Sequence, residues 1–260
     1  LHLLSRRQRQ MCIRDRLYLY NDKKIFYRFH NHVSRSPVLL LHGWGCDGDI
    51  FKPLIERFPE KSFLTVDFPP FGRSEKIIAD WNIFTYVGML MSLCEHLHID
   101  KCDVLGHSFG GRIAIILAAV KRSLVQSCIL VDSAGMKPKR SLKFKCRQYS
   151  YKLKKAMGRK PKTIASPDYL ALDAQNRSVF SSIVSTHLEE YCQKISRPTL
   201  IIWGEKDSET PLYMAKRMQK KIRNSTLQVI DGAGHYSFLD RPLEFTMHVS
   251  RFWENVKCCM

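Results

Sequence analysis

Short apolar runs recur along the chain, separated by longer segments whose apolar residues fall at helical spacing. A short apolar run between turn residues indicates a buried strand, whereas apolar residues three or four positions apart indicate a helix. This pattern predicts strands at residues 17–20, 24–30, 38–42, 62–67, 102–105, 127–132, 199–203 and 226–230. It predicts helices at residues 50–58, 84–97, 112–119, 212–222 and 242–253. Such alternation predicts an α/β fold with a mostly parallel, doubly wound sheet of about eight strands.

The alternation stops between Gly135 and Pro198. Within this segment, residues 141–157 have one apolar helical face, and basic residues surround it. The apolar face consists of Leu142, Cys146, Tyr149, Leu153 and Met157. A connection of this length between two strands is typical of a functional insertion, not of a simple loop. We therefore expect residues from about 136 to 197 to form a helical lid.

Residues 1–16 differ in origin from the rest of the chain. The stretch from Arg6 to Asp15 back-translates codon for codon into a transposase-adapter oligonucleotide, and Leu1-His2 fits its flanking sequence. The alternative is a basic targeting peptide, but the apolar run is short and no small-residue cleavage site follows it. We therefore interpret residues 1–16 as an adapter-derived artefact and residues 17–260 as one domain.

The chain is strongly basic, with a formal net charge of +18, of which residues 1–16 contribute +4. Much of the remaining charge is local, because no acidic residue falls between Asp132 and Asp168. The basic residues there are Lys137, Lys139, Arg140, Lys143, Lys145, Arg147, Lys152, Lys154, Lys155, Arg159, Lys160 and Lys162. Such a run is usually a solvated face. It also makes an anionic ester substrate or an anionic membrane surface a candidate partner, whereas no nucleic-acid-binding motif accompanies it.

Composition limits the remaining classes of protein. With 260 residues, 45% of them hydrophobic, the chain can bury one large core. No run of apolar residues reaches the length of about 18 that a membrane span requires. Apart from Cys12, the cysteines show neither metal-ligand spacing nor a disulfide framework, and several lie in apolar runs. The sequence therefore predicts no metal and no cofactor, and it favours the reducing cytoplasm as the location.

The candidate chemistry centres on Gly106-His107-Ser108-Phe109-Gly110-Gly111. This segment lies between a predicted strand and a predicted helix. Strand, Gly-x-Ser-x-Gly and helix in this order are typical of a nucleophile elbow, a sharp turn that projects the serine above the sheet. Gly106 and Gly110 are expected because a Cβ at either position would collide with the crossing backbone. An ordinary glycine-rich turn gives the same pattern, so the neighbouring motifs decide between the two interpretations.

Five motifs, in this order, resemble those of the α/β-hydrolase superfamily over residues 17–260. They are His42-Gly43-Trp44-Gly45, Asp67-x-Pro69-x-x-Gly72-x-Ser74, the segment around Ser108, Trp203-Gly204-Glu205-Lys206-Asp207, and Gly234-His235. Each follows a predicted strand, at the edge where doubly wound sheets bind their ligands. The resemblance implies the α/β-hydrolase fold and a serine hydrolase. The sequence departs from the superfamily at Pro70, where glycine is usual, and this puts the shape of that loop in doubt.

The resemblance implies a catalytic triad of Ser108, Asp207 and His235. Ser108 would be the nucleophile, and His235 the base that takes its proton. Asp207 would orient the imidazole, although Asp132, Glu205 and Glu209 remain rival candidates for that role. The backbone N–H groups of Trp44 and Phe109 would bind the oxyanion.

A serine at the elbow argues against the haloalkane dehalogenases and epoxide hydrolases of this fold. Esterases, thioesterases, C–C bond hydrolases, prolyl iminopeptidases and cofactor-free haloperoxidases remain. The Leu-His-Gly-Trp-Gly opening at residues 41–45 is most similar to small microbial carboxylic-ester hydrolases, including the pimeloyl-carrier-protein methyl esterase type. We therefore expect a serine esterase that cleaves a small or medium acyl ester through an acyl-enzyme. The alternatives are a C–C bond hydrolase with the same triad and a non-catalytic ligand-binding member of the fold.

Overall fold

A computed structural model describes residues 14–31, 34, 36–76, 81–139 and 174–258, and its described residues form one eight-stranded sheet with flanking helices. The strands are β1 (Arg14–Tyr20), β2 (Lys23–His30), β3 (Val38–Leu41), β4 (Phe63–Val66), β5 (Cys102–His107), β6 (Val125–Val131), β7 (Thr199–Gly204) and β8 (Ser225–Ile230). A 3-10 turn at Gly48–Phe51 precedes the helices, which are α1 (Lys52–Ile55), α2 (Ile83–His96), α3 (Phe109–Val120), α4 (Ala174–Ser185), α5 (Glu189–Lys194), α6 (Tyr213–Lys221), α7 (Ser237–Asp240) and α8 (Pro242–Cys258). The predicted α/β-hydrolase fold with about eight strands is confirmed.

The order of the strands explains how distant motifs meet. The strands lie in the order β1-β2-β4-β3-β5-β6-β7-β8. β1 and β2 form an antiparallel hairpin at one edge, and β2 pairs antiparallel with β4. Every other neighbouring pair, from β4 to β8, is parallel. The carboxyl ends of these parallel strands therefore share one edge of the sheet, which is where the loops that carry the motifs begin.

The sheet is buried on both faces because its strands present apolar side chains in alternate directions. In β3, for example, Leu39 and Leu41 belong to one core cluster, and Val38 and Leu40 belong to the other. Helices α2, α3, α5 and α6 contribute to the first cluster. Helices α1, α7 and α8 contribute to the second. The two clusters hold the strand ends rigidly in register.

The hairpin edge includes residues that the sequence assigned to the adapter. Residues 14–16 are part of β1 and pair with residues 27–29 of β2. The Asp15 carboxylate accepts hydrogen bonds from the guanidinium of Arg28, and it also lies 3.1 Å from Nη1 of Arg73. Arg28 is buried and donates in addition to Asp49, at 2.7 Å. Asp15 is thus one of two acids that neutralise a buried arginine.

The expected lid at residues 136–197 is described at its two ends, residues 136–139 and 174–197, where α4 and α5 lie. The predicted basic helix at residues 141–157 falls outside the described residues. Arg112, only 6% exposed in α3, donates from Nη1 to the carbonyl oxygens of Ile183 at 2.9 Å and Thr186 at 2.8 Å. The end of α4 is therefore fastened to the helix that begins next to Ser108.

Two observations concern membrane spans and cysteines. No helix within the described ranges is both long and apolar enough to cross a membrane. The described cysteines are free thiols, at Cys46, Cys94, Cys102, Cys128 and Cys192. Four of them are buried, and burial raises the pKa of Cys94 and Cys192 to about 12. These thiols pack as small apolar side chains.

Candidate active site

Ser108 lies on a strained turn between β5 and α3, with φ +49° and ψ −108°. Non-glycine residues rarely adopt positive φ, so the surrounding structure must hold the turn in place. A Cβ on Gly106 would come within 2.5 Å of the Gly110 carbonyl oxygen, and a Cβ on Gly110 would collide with the carbonyl of Leu41. Only glycines allow the chain to cross itself this closely. The strand–turn–helix arrangement has the geometry predicted for a nucleophile elbow.

Ser108, His235 and Asp207 form one chain of hydrogen bonds. Oγ of Ser108 lies 3.0 Å from Nε2 of His235, and Nδ1 of the same ring lies 2.9 Å from Oδ2 of Asp207. The three residues follow β5, β8 and β7 respectively, so the parallel sheet delivers them to one edge. The structure thus brings together the three residues that the sequence proposed as a triad, in the order that the chemistry requires.

The Asp207 carboxylate is surrounded by donors. The backbone N–H groups of Glu209 and Thr210 each donate to Oδ1 at 2.9 Å, and the Thr210 hydroxyl donates to Oδ2 at 2.6 Å. Burial raises the pKa of Asp207, but the hydrogen bonds from His235 and Thr210 outweigh it and leave that pKa lowered. Burial likewise opposes protonation of His235, but the hydrogen bond and charge of Asp207 outweigh it and raise the pKa of the imidazole. Asp207 is therefore held ionised and fixes the Nδ1–H tautomer.

The rival acids occupy other places. Asp132 is buried and accepts from the Gly204 N–H at 2.7 Å and from the Ser237 hydroxyl at 2.6 Å. Burial raises the pKa of Asp132 to about 7, despite these hydrogen bonds. Asp132 thus connects Gly204, at the end of β7, with Ser237, which follows β8. Asp207 and His235 lie on the same two segments. Glu205 accepts from the Gly232 N–H at 3.2 Å.

Glu209 also contacts the imidazole, but on the opposite side from Asp207. Its Oε2 lies 3.3 Å from Nε2 of His235, the nitrogen that faces Ser108. The side chain is 57% exposed, unlike that of Asp207, which is fully buried. Of the four acids, Asp207 is the one that contacts Nδ1 in the structure.

His107 supports the site, although the sequence analysis assigned it no role. Its ring is fully buried, and Nε2 donates to the backbone carbonyl of His235 at 2.8 Å. The ring also packs against the rings of His235 and Tyr236, at centroid distances of 5.0 and 4.9 Å. Burial lowers the pKa of His107 to about 3, so the ring is neutral. His107 thereby couples the elbow to the loop that carries His235. The only sequence signal was its place beside Ser108.

The expected oxyanion donors lie next to Ser108. Trp44 and Phe109 line the same cavity as Ser108, and their rings meet edge to face at a centroid distance of 5.4 Å. Neither backbone N–H has an acceptor among the residues that the structure describes. Their role as donors to a tetrahedral oxyanion stays a prediction.

The loop that contains Pro70 packs beneath Trp44. The Pro69–Pro70 peptide bond is cis, and the Tyr86 hydroxyl donates to the Pro69 carbonyl at 2.7 Å. The ring of Phe71, the next residue, meets the Trp44 indole edge to face at 4.8 Å. The loop that contains Pro70 thus contacts Trp44 through Phe71, and the Ser108–His235–Asp207 hydrogen bonds are all present.

A cavity of about 470 Å³ opens above Ser108. Its wall is largely apolar, and the larger apolar side chains in it include Trp44, Phe109, Met136, Phe180, Ile183, Val184 and Met214. Two further charged side chains line it, Arg112 and Glu209. Burial lowers the pKa of Arg112 to about 10, and the group still carries its charge at neutral pH. An apolar cavity of this size with few polar groups is typical of a small-molecule site.

Comparison with known proteins gives a consistent result. The model of the Alpha/beta hydrolase family matches residues 38–247. Among curated proteins, the chain is 23% identical to the uncharacterized hydrolase YugF of Bacillus subtilis (strain 168), an alignment that covers 91% of this chain and 97% of that one. It is 26% identical to monoacylglycerol lipase ABHD6 of Rattus norvegicus, with coverage of 96% and 85%.

Solved structures of similar fold include enzymes of different chemistry. A membrane phospholipase A, described as a bacterial virulence factor, superposes with a TM-score of 0.77 at 24% identity, covering 98% of this chain and 91% of that one. The meta-cleavage product hydrolase CumD from Pseudomonas fluorescens IP01 superposes with a TM-score of 0.70 at 19% identity, with coverage of 92% and 97%. At these identities the similarity establishes the fold alone.

Proposed function

Because the chain belongs to the alpha/beta hydrolase family, we propose that it is a serine hydrolase that cleaves a carboxylic ester of small or medium acyl chain. The observation that carries the proposal is the continuous hydrogen-bond chain from Asp207 through His235 to Ser108, which ends at the floor of an apolar cavity. A binding protein of this fold needs neither a strained serine nor an ionised aspartate behind a histidine. The non-catalytic alternative is therefore disfavoured.

Acylation follows from this geometry. Oγ of Ser108 attacks the ester carbonyl carbon while Nε2 of His235 takes its proton. The carbonyl oxygen becomes an oxyanion and accepts hydrogen bonds from the N–H groups of Trp44 and Phe109. Asp207 stabilises the imidazolium that forms. The intermediate collapses when the C–O bond breaks, and Nε2 gives its proton to the departing alcohol oxygen.

Deacylation repeats these steps with water. Nε2 of His235 removes a proton from a water molecule, whose oxygen attacks the acyl carbon bound to Ser108. Collapse of the second intermediate returns the proton to Oγ and releases a carboxylic acid. The cavity volume and its aromatic wall favour an acyl group of modest size.

Three further expectations remain proposals. A C–C bond hydrolase would use the same three residues, and CumD shares the fold, but no described residue favours that reaction over ester cleavage. An anionic ester or membrane surface as partner, and a cytoplasmic location, rest on the sequence. The basic residues that suggest an anionic partner lie mostly outside the described residues.

Covalent labelling tests the proposal directly. A fluorophosphonate probe should modify Ser108, and the Ser108→Ala variant should lose both the labelling and the turnover of p-nitrophenyl esters. A panel of these esters with increasing acyl length would give the preferred chain. Labelling of another serine, or a folded Ser108→Ala protein that still hydrolyses the esters, would refute the assignment. Turnover of a vinylogous 1,5-diketone acid without ester turnover would favour C–C cleavage.

A further inference from the structure

Glu209 lies where the departing alcohol must pass. The backbone N–H of Glu209 donates to Asp207, which fixes the start of the side chain beside the triad. Its Oε2 then reaches to 3.3 Å from Nε2 of His235, the same nitrogen that contacts Ser108 Oγ at 3.0 Å. Glu209 lines the cavity and is more than half exposed, so a molecule entering the cavity can touch it.

This position corresponds to the alcohol side of an ester. In the reaction proposed above, Nε2 protonates the leaving oxygen, so that oxygen must come within about 3 Å of Nε2. The leaving oxygen and Oε2 of Glu209 are then no more than about 6 Å apart, because both contact one atom. A donor on the second carbon of the alcohol can bridge that distance.

Glu209 presents a carboxylate to the cavity. Among the described residues, Glu209 forms no ion pair with a lysine or arginine, and its one charged contact is His235. A carboxylate only accepts hydrogen bonds, and such charge-assisted bonds are the strong ones. The other charged group of the cavity wall, Arg112, is bound to carbonyls at the end of α4.

We propose that Glu209 is a specificity-determining residue that selects esters whose alcohol carries a hydrogen-bond donor on its second carbon, either a hydroxyl or an ammonium group. The inference rests on the proposed ester hydrolysis and names the alcohol half of its substrate. Glu209 accepts the donor's hydrogen while the leaving oxygen accepts the proton from His235. Alcohols with an anionic substituent at that position are disfavoured by repulsion.

Matched esters of one acid test this assignment. The 2,3-dihydroxypropyl and propyl esters of butyric acid differ in hydroxyl donors, and the protonated 2-(dimethylamino)ethyl and 3-methylbutyl esters differ in one positively charged N–H donor. All four give the same butyryl-enzyme, so kcat/KM, which reports acylation, is the quantity to compare. The native protein should prefer the donor-bearing member of at least one pair by about tenfold, equivalent to about 1.4 kcal/mol.

Two substitutions separate the two kinds of donor. Glu209→Gln keeps an acceptor oxygen and removes the charge, so it should strongly reduce a preference for the 2-(dimethylamino)ethyl ester and reduce a preference for the dihydroxypropyl ester less. Glu209→Ala should abolish both. Glu205→Gln makes the same charge change on a neighbouring exposed residue outside the cavity wall and should keep the native ratios. Any general effect on His235 changes both members of a pair and cancels in the ratio.

The outcomes distinguish this inference from the proposed function. If the native protein hydrolyses all four esters with kcat/KM ratios near one, or if Glu209→Ala retains the native ratios, the role of Glu209 is refuted while ester hydrolysis stands. If Ser108→Ala hydrolyses the propyl ester as fast as the native protein does, the proposed function itself fails. Equal loss of the ratios in Glu205→Gln would show a long-range charge effect and also refute the assignment.

Discussion

Replacement of Asp207 by asparagine should abolish most of the activity by forcing the wrong tautomer of His235. All four groups around the carboxylate are donors: two backbone N–H groups, the Thr210 hydroxyl and the His235 Nδ1–H. Asparagine offers one acceptor oxygen and one NH2 group. The backbone donors cannot turn away, so they bind the amide oxygen, and the NH2 group then points toward His235.

An NH2 group in that position makes Nδ1 of His235 accept a hydrogen bond. The ring proton then moves to Nε2, which can no longer accept the proton of Ser108. Triads with this defect lose roughly 10⁴-fold in kcat, which corresponds to about 5.4 kcal/mol at 1.36 kcal/mol per tenfold. The fold should survive, because the amide oxygen keeps both backbone donors.

Asp132→Asn is the matched control, since Asp132 is a second buried carboxylate near the same loops. Its partners are the N–H of Gly204 and the N–H and hydroxyl of Ser237. The NH2 group of an asparagine at position 132 would face the backbone N–H of either Gly204 or Ser237, and this unpaired donor costs about 1–3 kcal/mol of stability. kcat should fall less than tenfold. The assays are p-nitrophenyl ester turnover, normalised by fluorophosphonate titration, and urea unfolding. If Asp132→Asn lost 10⁴-fold and Asp207→Asn did not, the assignment of the acid would be wrong.

Three further predictions follow from described contacts. Arg112→Met should lower the free energy of unfolding by about 2–3 kcal/mol, because one buried and one partly buried carbonyl lose a charged donor. Hydrogen exchange should rise in residues 174–188 first, and unchanged exchange there would contradict the contact's role in holding the end of α4. Removal of residues 1–13 should leave Tm unchanged. Removal of residues 1–16 also removes Asp15 and should lower Tm by about 2–4 °C, given that its ion pairs contribute about 1 kcal/mol. Equal Tm values for the two deletions would show that Asp15 contributes nothing to stability. kcat/KM should fall as the pH drops through the pKa of His235, which lies above its usual value, since the base must be neutral. Glu209→Gln should shift this fall to lower pH, because it removes a negative charge beside the ring while Asp207, Asp132 and His107 stay in place. An unshifted profile would show that the Glu209 charge does not act on His235.

Much of this protein was determined locally, and the sequence therefore predicted it. The strands and helices follow from apolar periodicity, because each element must bury one face or both. Ser108 was predictable from glycines on both sides, since only they permit the crossing of β5 and α3. His235 was predictable only with the resemblance, because Gly234-His235 matches a motif that the family has after its last strand. The elements and the Ser108 turn, by contrast, each depend on a short stretch of sequence.

The tertiary structure decided the roles of the acidic residues and of the residues that support the site. Asp132, Glu205, Asp207 and Glu209 all follow parallel strands, and sequence order gives no distance from each carboxylate to a ring nitrogen. Asp207 and Glu209 are only two residues apart, yet the folded chain places Asp207 against Nδ1 of His235 and Glu209 against Nε2. This happens because the backbone after β7 turns around the Asp207 carboxylate. The bonds from His107 to the His235 carbonyl and from Arg112 to the end of α4 likewise join positions far apart in the chain. Such contacts depend on the register of the whole sheet, to which every element contributes.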